Sequence, residues 1–285
     1  MIDNKIAIKS LLSEVSTLDD KLKILSDYLR HQDIVILTAG PSINQVDPEK
    51  LKKFLEGKLV IAVKQTLYIA PELVDIHLIN PFNYQDYKYG DNIPIVMNVS
   101  LSGMKTRFTT KESDFEFTID SKKTDRSHSL AMTRDFDDYS LDKKSVRPFG
   151  PGIMYELAIY LPVFLEASSL TIFGWDIGSK SKNSIERFYE SYGLSKLIQD
   201  LAMKVSITWY NKYYVRMHNI INFILYKYLG FNVVLNNPGI TDNEATVIAD
   251  STNDLYKWFV SKNIYPKIVS EKSMVDAVFP RVRID

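Results

Sequence analysis

The sequence predicts an α/β fold of the Rossmann-like type, with a mainly parallel sheet flanked by helices. Short apolar runs alternate with amphipathic stretches along the chain, which is typical of repeated strand–helix units. The runs are continuously apolar, as in strands that are covered on both faces. Several of them end in Gly, Asn or Asp, and ligands of open α/β sheets bind at such carboxyl ends.

Composition sets the broad class of the protein. The 285 residues suit one α/β domain over 1–285, and Lys plus Arg equals Asp plus Glu at 35 each. Without a basic excess we predict no nucleic-acid partner, and without cysteine there are no disulfides or thiolate metal sites. The N-terminus lacks the apolar core of a signal peptide, and no run approaches the roughly 18 apolar residues of a membrane span. We therefore predict a cytoplasmic protein, with a place at the inner face of the cytoplasmic membrane left open.

The first third of the chain contains the clearest elements. Residues 1–30 have leucines and isoleucines at helical spacing, which predicts one or two helices. "DIVILTA" is a continuous apolar strand. "VDPEKLKKFLEG" is a short helix with Asp47 as cap, Pro48 at its first position and Gly57 at its end. Further strands are predicted in "KLVIAVKQT", in "DIHLIN" and in "IPIVMNVSL".

Two segments interrupt the alternation and are interpreted as lid or insert segments. Residues 101–147 are polar and mixed in charge, with "RFTT" and "FEFTI" as the arms of a hairpin. Residues 178–215 form a polar linker and helix. Long loops inside compact domains are usually functional or disordered.

The second half returns to strand–helix alternation. A glycine turn opens a helix over about 152–167, which Pro162 is expected to kink. "SLTIFGWD" is a strand, and "HNIINFILYKYLG" is a helix that ends at Gly230 and leads into a last strand. The tail "TNDLYKWFVSKNIYPKIV" is predicted to be a closing helix.

The turn Gly40-Pro41-Ser42 follows the first strand directly. A glycine there allows the backbone to approach a bound group, and N–H groups near Ser42 suit a phosphate or a ribose. A tight turn without a ligand explains the same residues equally well. Neither GxxxxGK[ST] nor GxGxxG occurs in the chain.

Three further features carry chemistry. "RPFGPG" at 147–152 opens a helix, and its N-terminus beside Arg147 suits a phosphate or carboxylate; a plain turn is the alternative. Asp176 ends a strand and suits a base, a nucleophile or a hydroxyl acceptor, or simply caps a turn. His218 begins a helix, where a neutral base or a structural histidine is expected. Since no HxxxH, HExxH or well-placed DxD is present, we predict no metal.

An ordered set of short motifs resembles the bacterial sialyltransferases of glycosyltransferase family 42 and related enzymes that use CMP-activated keto-acid sugars. The set is "VILTAGPSI", "AVKQT", "LINPFNY" and "GPGIMYELAIYL…LTIFGWDI", followed by a late His, and it covers about 33–240. The resemblance implies a CMP-sugar donor, no cofactor, and an oligosaccharide or lipid-linked glycan acceptor in surface polysaccharide synthesis, either lipopolysaccharide or capsule. It also implies a catalytic pair, His218 and Asp176. The donor-binding residues that it implies, together with the Arg147 above, are Gly40, Pro41, Ser42, Gln65, Asn80, Gly150, Pro151, Gly152, Tyr213 and Tyr214.

The chain departs from that family at three positions. Ala39, Lys64 and Pro151 stand where the family has Asn, Asn and Ser. A donor carrying Kdo, another CMP-linked keto-deoxy acid, is as compatible as one carrying sialic acid. Proton removal by His218 would invert the anomeric centre, whereas attack by Asp176 would retain it.

Two other functions remain open at this point. One is a Mg²⁺-dependent pyrophosphokinase-like nucleotide enzyme, and the other is a non-catalytic module of polysaccharide assembly. Peripheral membrane contact through "YKWFVSKNIYPK" and assembly into a homo-oligomer are also left open.

Overall fold

The computed structural model describes residues 2–79, 87–101, 113–119, 136–138, 141, 153–177, 242–270 and 273–284, and the single positions 217, 220, 224 and 228. Over these residues it shows a seven-stranded, all-parallel sheet flanked by helices, which confirms the predicted fold class. The strands are β1 Asp33–Leu37, β2 Leu59–Val63, β3 Ile76–Ile79, β4 Ile95–Leu101, β5 Phe115–Ile119, β6 Ser169–Phe173 and β7 Pro266–Val269. The helices are α1 Ile2–Glu14, α2 Leu18–Leu29, α3 Pro48–Leu55, α4 Tyr160–Phe164 and α5 Asp242–Ser261.

The strand order is β5-β4-β3-β2-β1-β6-β7. The chain therefore winds outward from β1 to β5, returns to the other side of β1 at β6, and ends at β7. The reversal lies between β1 and β6, which pair in parallel from Asp33 opposite Ser169 to Leu37 opposite Phe173. In open α/β sheets such a reversal opens a crevice at the carboxyl ends of the two strands.

Both faces of the sheet are covered, which explains the continuously apolar strands. All five residues of β2 are buried. One face packs against α1, α2, α4 and α5, with Leu12, Leu25 and Phe259 in its core. The other face packs against α3 through Leu51 and Leu55.

Local signals explain the first helices. Thr17 caps α2 by accepting the N–H of Asp20 at 3.1 Å. Asp47 caps α3 by accepting the N–H groups of Glu49 and Lys50, each at 3.0 Å. Gly57 follows α3 with a φ of +75°. The helices predicted over 1–30 and at "VDPEKLKKFLEG" are thereby confirmed.

A buried ion pair attaches α1 to the amino-terminal edge of the sheet. Lys5 Nζ donates to Val74 O at 2.9 Å and to Asn92 Oδ1 at 2.7 Å, and lies 3.2 Å from Asp75 Oδ1. Asp75 also accepts the N–H of Val60 at 3.0 Å. Burial raises the pKa of Asp75 despite the nearby ammonium group. The three N–H groups of the Lys5 ammonium thus have three protein acceptors, so we assign this contact to the stability of the fold.

The segment after β4 contributes to the sheet. "FEFTI" is β5, and it pairs in parallel with β4, from Met97 opposite Phe115 to Leu101 opposite Ile119. From the sequence we expected "FEFTI" to pair with "RFTT" in a hairpin, whose strands are antiparallel, so the parallel pairing with β4 was not predicted. The "RFTT" arm at 107–110 lies outside the described residues. Whether 101–147 and 178–215 act as lids stays a prediction.

The helix after the "RPFGPG" turn is irregular at a different place from the one expected. Its break precedes Pro162, because Ile159 donates to Met154 O at 3.1 Å in a π-helical turn over Met154–Ala158. Pro162 itself lies within α4.

The expectation of one closing helix at the C-terminus is wrong in its second half. Helix α5 ends at Ser261, and Asn263 then adopts a left-handed conformation with φ +61°. Pro266 begins β7, which extends the sheet beside β6. A proline suits the first position of an edge strand because it needs no donor there.

In the part of the chain that the structure describes, no helix combines the length and the apolar character that crossing a bilayer requires.

Candidate functional site

The candidate site is the carboxyl edge of the sheet at the reversal between β1 and β6. The turn after β1 and the turn after β6 meet there, since Gly40 N donates to Gly174 O at 2.8 Å. Thr38 extends the pairing, because its N–H and its hydroxyl both donate to Phe173 O, at 2.9 and 2.8 Å. Residues separated by more than 130 positions in the chain thus form one surface.

The glycine at position 40 is required by this close approach. A Cβ there would lie 2.2 Å from Gly174 O and 2.4 Å from Asp176 Oδ2. Gly174 is equally restricted, because its φ is +66° and its Cβ would lie 2.4 Å from Thr38 O. The groups that approach Gly40 therefore belong to the protein's own β6 turn.

Asp176 holds the two turns together. Its Oδ2 accepts the N–H of Ser42 at 2.7 Å, and its Oδ1 accepts the hydroxyl of Ser270, which follows β7. The N–H of Ser42 therefore already donates its hydrogen bond to this carboxylate. The sequence had suggested that the same N–H would bind a phosphate or a ribose. Arg281 supports this corner by donating to Ser270 O and, at 2.8 Å, to Val275 O. Ends of β1, β6 and β7 meet at this carboxylate.

Thr66 joins the end of β2 to the same edge. Its fully buried hydroxyl lies 2.8 Å from Leu37 O and 3.0 Å from Val63 O, and it accepts the N–H of Val63 at 2.8 Å. The hydroxyl thereby satisfies backbone groups at the ends of two neighbouring strands, which holds the turn after β2 in register with β1.

The turn after β2 carries a strained residue and an unusual buried side chain. Lys64 has a φ of +56°, a conformation that non-glycine residues rarely adopt. Gln65 follows and is 4% exposed, and within the described residues nothing donates a hydrogen bond to its buried Oε1. Buried amide oxygens nearly always accept a hydrogen bond. Gln65 is therefore the clearest candidate at this edge for a side chain that binds a ligand.

Asn98 on β4 shares this property. It is buried and lies opposite Ile79 at the carboxyl end of β3, and its Oδ1 has no partner in the described part of the chain. The sequence indicated no role for Asn98. The amide side chain in the middle of "IVMNVSL" was the available signal, since buried strands rarely contain asparagine.

His77 lies inside β3, and both of its ring nitrogens have defined partners there. Its Nε2 lies 2.8 Å from Lys64 O, and its Nδ1 lies 3.0 Å from the hydroxyl of Tyr89. Because a carbonyl only accepts, Nε2 carries the hydrogen, and Nδ1 accepts from Tyr89. The ring of Tyr87 packs edge-on at 4.5 Å. Burial lowers the pKa of His77 to about 4, so the imidazole is neutral and holds the strained Lys64 carbonyl.

Trp175 fills the opposite side of the β6 turn. Its Nε1 donates to the hydroxyl of Tyr155 at 3.0 Å, and its ring packs edge-on against Phe279. Burial raises the pKa of Tyr155 above its ordinary value. Trp175 is thus part of the core, while Asp176, the next residue, bonds to the turn after β1.

The structure therefore brings together five residues that the sequence singled out: Gly40, Pro41 and Ser42 after β1, Gln65 after β2, and Asp176 after β6. The remaining expected site residues lie outside the described residues. They are Asn80, Arg147, Gly150, Pro151, Gly152, Tyr213, Tyr214 and His218. Within the described ranges, no three or more His, Asp or Glu side chains are grouped to hold a metal ion.

Comparison with protein families and with curated proteins gives no match. One solved structure is similar, that of the MAf glycosyltransferase from Magnetospirillum magneticum AMB-1. The match has 15% identity and a TM-score of 0.32, and it covers 57% of this chain and 25% of the other. This chain thus spans about a quarter of that protein. A likeness of this degree supports neither a shared fold nor a shared activity.

Proposed function

We propose that the protein is a glycosyltransferase that moves a keto-deoxy acid sugar, sialic acid or Kdo, from its CMP-activated donor to a glycan acceptor. The observation that carries the proposal is the strand-end edge. The turns that contain Gly40 and Asp176 meet there at the reversal of strand order, and Gln65, whose buried Oε1 has no described partner, follows the neighbouring strand β2. These same residues belong to the ordered motif set of the CMP-sugar enzymes. In the proposal Gln65 contacts the donor, and Gly40 and Asp176 hold in place the turns that surround it.

In the proposal Gln65 accepts a hydrogen bond from the donor. Its Oε1 is buried and lacks a described partner, and a CMP-sugar offers an amino group and several hydroxyls. A buried acceptor gains most from a ligand that supplies the missing hydrogen, because leaving it unbonded costs about 1–3 kcal/mol. Gln65 would therefore contribute to donor affinity while contributing little to the stability of the empty protein.

Asp176 is proposed to position the site. Both of its carboxylate oxygens already accept hydrogen bonds, from Ser42 and Ser270. An attacking carboxylate would have to leave these donors and would separate the turns of β1 and β6. This arrangement favours His218 as the reacting group. The acceptor hydroxyl loses its proton to His218, its oxygen bonds to the anomeric carbon, and the bond from that carbon to the phosphate oxygen breaks, releasing CMP with inversion.

Ligand selectivity tests the donor class. Thermal unfolding is measured with CMP, with UDP, and with ATP plus Mg²⁺, since a ligand that binds only the folded state raises the midpoint. Stabilisation by CMP alone supports the proposal. Stabilisation by ATP with Mg²⁺ alone would transfer the protein to the pyrophosphokinase-like class, and no response to any of the three would favour the non-catalytic module.

Substitution of Gln65 tests the site. Gln65→Leu is expected to weaken CMP binding by about tenfold with little change in unfolding temperature. The matched control is Gln32→Leu at the opposite edge of the sheet, next to β1, which should leave CMP binding unchanged. Equal CMP affinity in Gln65→Leu and the wild type would contradict the assignment.

Two further variants separate the catalytic roles. Asp176→Asn keeps an oxygen for the N–H of Ser42 and an amide group beside Ser270, so turnover is expected to survive within about tenfold. His218→Ala should lower turnover by roughly 10²–10⁴ while sparing CMP binding. Loss of all turnover in Asp176→Asn, with a trapped sugar adduct in the wild type, would make Asp176 the nucleophile instead.

A further inference from the structure

The turn after β2 presents Gln65 between two residues that are fixed to other strands. On one side, the carbonyl of Lys64 accepts the N–H of His77 Nε2 at 2.8 Å. On the other side, the buried hydroxyl of Thr66 donates to Leu37 O at 2.8 Å. Because His77 belongs to β3 and Leu37 to β1, the two flanks of Gln65 are attached to the strands on either side of β2.

The flank at Lys64 has an unfavourable backbone conformation. Its φ of +56° is rare for a residue with a Cβ, and such a conformation persists only where the surrounding structure maintains it. The carbonyl of Lys64 has a buried partner of this kind in the imidazole of His77. Local strain is concentrated at ligand-binding sites. Here it directly precedes Gln65, whose buried Oε1 has no described partner.

Packing alone does not require a histidine at position 77. Its partners on the neighbouring strands, Ala62 and Val96, are buried and apolar, and His77 itself is fully buried. An apolar side chain would fill this position without placing a polar ring in the core. The imidazole adds one donor and one acceptor, and both are used, with Nε2 facing Lys64 O and Nδ1 facing the hydroxyl of Tyr89.

Tyr89 determines which imidazole nitrogen carries the hydrogen. The ring is neutral, because burial lowers the pKa of His77 to about 4. A neutral imidazole has one N–H, and a hydroxyl that donates to Nδ1 fixes that hydrogen on Nε2. Nε2 is the nitrogen that faces Lys64 O. Donation thus runs from Tyr89 through His77 to the backbone beside Gln65.

We propose that His77 and Tyr89 are positioning residues of the donor site, which hold the turn after β2 so that the amide oxygen of Gln65 faces the bound ligand. The inference rests on the proposed function in one respect, that the ligand is the CMP-activated donor. It goes further because neither residue contacts the donor in it. His77 acts through Lys64 O, and Tyr89 acts through His77.

A structural role and a positioning role differ in what they change. A hydrogen bond that only stabilises the fold lowers the unfolding midpoint when it is removed, and it leaves the ligand affinity of the folded protein unchanged. A positioning bond also alters the group that it positions. Both the order of the Gln65 side chain and the affinity for CMP should then fall, and a residue that restores the lost donor should recover them.

Three variants of the full chain test the inference. His77→Leu removes the donor to Lys64 O, His77→Gln keeps a side-chain N–H at this position, and Tyr89→Phe removes the hydroxyl that fixes the hydrogen on Nε2. Calorimetric titration should show CMP binding about tenfold weaker in His77→Leu and about two- to fivefold weaker in Tyr89→Phe, with His77→Gln close to the wild type. The matched control is Lys5→Met, which removes a buried contact at the opposite edge of the sheet and should leave CMP affinity unchanged.

Two measurements without ligand examine the positioning itself. Nuclear magnetic relaxation of the Gln65 side-chain amide, assigned by its disappearance in Gln65→Leu, reports the order of this group on the picosecond-to-nanosecond timescale. We expect an ordered amide in the wild type and in His77→Gln, and a more mobile one in His77→Leu and Tyr89→Phe. The nitrogen spectrum of protein labelled at histidine should show hydrogen on Nε2 of His77 and none on Nδ1.

The outcomes distinguish this inference from the proposed function. If the wild type binds CMP and His77→Leu binds it equally, the positioning role is wrong and the donor class stands. If the wild type does not bind CMP, the donor class is wrong and the relaxation of Gln65 decides alone. An unchanged amide in His77→Leu then overturns the positioning role, and a mobile one supports it.

Two further results would overturn the positioning role. One is an equal loss of CMP affinity in Lys5→Met, since the effect would then follow from lowered stability in general. The other is a hydrogen on Nδ1 of His77, since Nε2 would then have none to donate to Lys64 O. If His77→Leu does not fold, Tyr89→Phe is judged by the same two measurements.

Discussion

Gly40→Ala tests the close approach on which the candidate site is built. The φ of Gly40 is −71°, so alanine meets no backbone strain at this position, and the effect is steric. The new Cβ would lie 2.2 Å from Gly174 O, 2.4 Å from Asp176 Oδ2 and 2.7 Å from Asp176 Cγ. The nearest of these atoms is backbone, so a side-chain rotation does not relieve the clash.

The expected cost follows from these distances. Relieving the contact with Gly174 O requires a shift of about 1 Å, since ordinary contacts of carbon lie near 3.5 Å. Overpacking of this kind costs roughly 1–3 kcal/mol. Separating the turns also weakens the bond from Gly40 N to Gly174 O, 2.8 Å long, by about 1 kcal/mol. We therefore expect Gly40→Ala to lower the free energy of unfolding by roughly 2–4 kcal/mol.

Urea unfolding followed by circular dichroism measures this change, with the midpoint shifting at constant slope. Gly57→Ala is the control, because nothing lies within 4 Å of its Cβ and only its φ of +75° is unfavourable, at about 1–2 kcal/mol. A second measurement repeats Gly40→Ala in an Asp176→Ala background, where most of the cost should remain because Gly174 O is still in place. The reasoning is refuted if Gly40→Ala costs less than Gly57→Ala, or if Asp176→Ala removes its effect.

Three further predictions concern buried polar groups. The pKa of His77 is lowered to about 4, so below pH 6.5 the unfolded state binds its proton more strongly than the folded state. Between pH 7.5 and pH 5, wild-type stability should therefore fall about 2 kcal/mol more than that of His77→Gln, measured by urea unfolding. Lys5→Met leaves Asp75 as a buried charge without its partner and should cost about 3–5 kcal/mol in the same assay. Thr66→Val removes the hydroxyl that bonds Leu37 O and Val63 and should cost about 1–3 kcal/mol, while Thr66→Ser should restore most of it.

Each of these has an outcome that contradicts it. Parallel pH profiles of wild type and His77→Gln would show that His77 is not held neutral. For the ion pair, Lys5→Met/Asp75→Asn should recover part of the loss, and equal stability of the single and double variants would indicate that Asp75 tolerates its charge alone. For Thr66, wild-type stability of the valine variant would show that Leu37 O and Val63 find other partners.

Much of the fold could be predicted because its signals are local. The cap at Asp47 and the glycine at position 57 delimit α3 within a dozen residues. Continuous apolar runs indicate strands covered on both faces, and such strands are parallel in α/β proteins. The failures came from signals that are weak locally. Strand β7 is four residues long, and β5 lies in a polar segment.

The site was predicted only in outline, because the contacts that form it also lack a local signal in the sequence. The sequence placed Gly40, Gln65 and Asp176 at strand ends, and parallel pairing brings such ends to one edge. It did not show that Asp176 is the group bonded to Ser42, because that contact depends on β6 lying next to β1. Nor did it show the hydrogen bond from His77 to Lys64, which requires the left-handed turn after β2.

By itself the sequence determined the elements that have clear local signals, such as α3 between Asp47 and Gly57 and the apolar strands β1 and β2, since periodicity, caps and turn residues act over a few neighbours. The tertiary structure alone decided which strand ends become neighbours. Because β6 lies next to β1, a glycine and a carboxylate that are 136 positions apart come into contact. Backbone hydrogen bonding between non-consecutive strands, which no local pattern encodes, determines that contact.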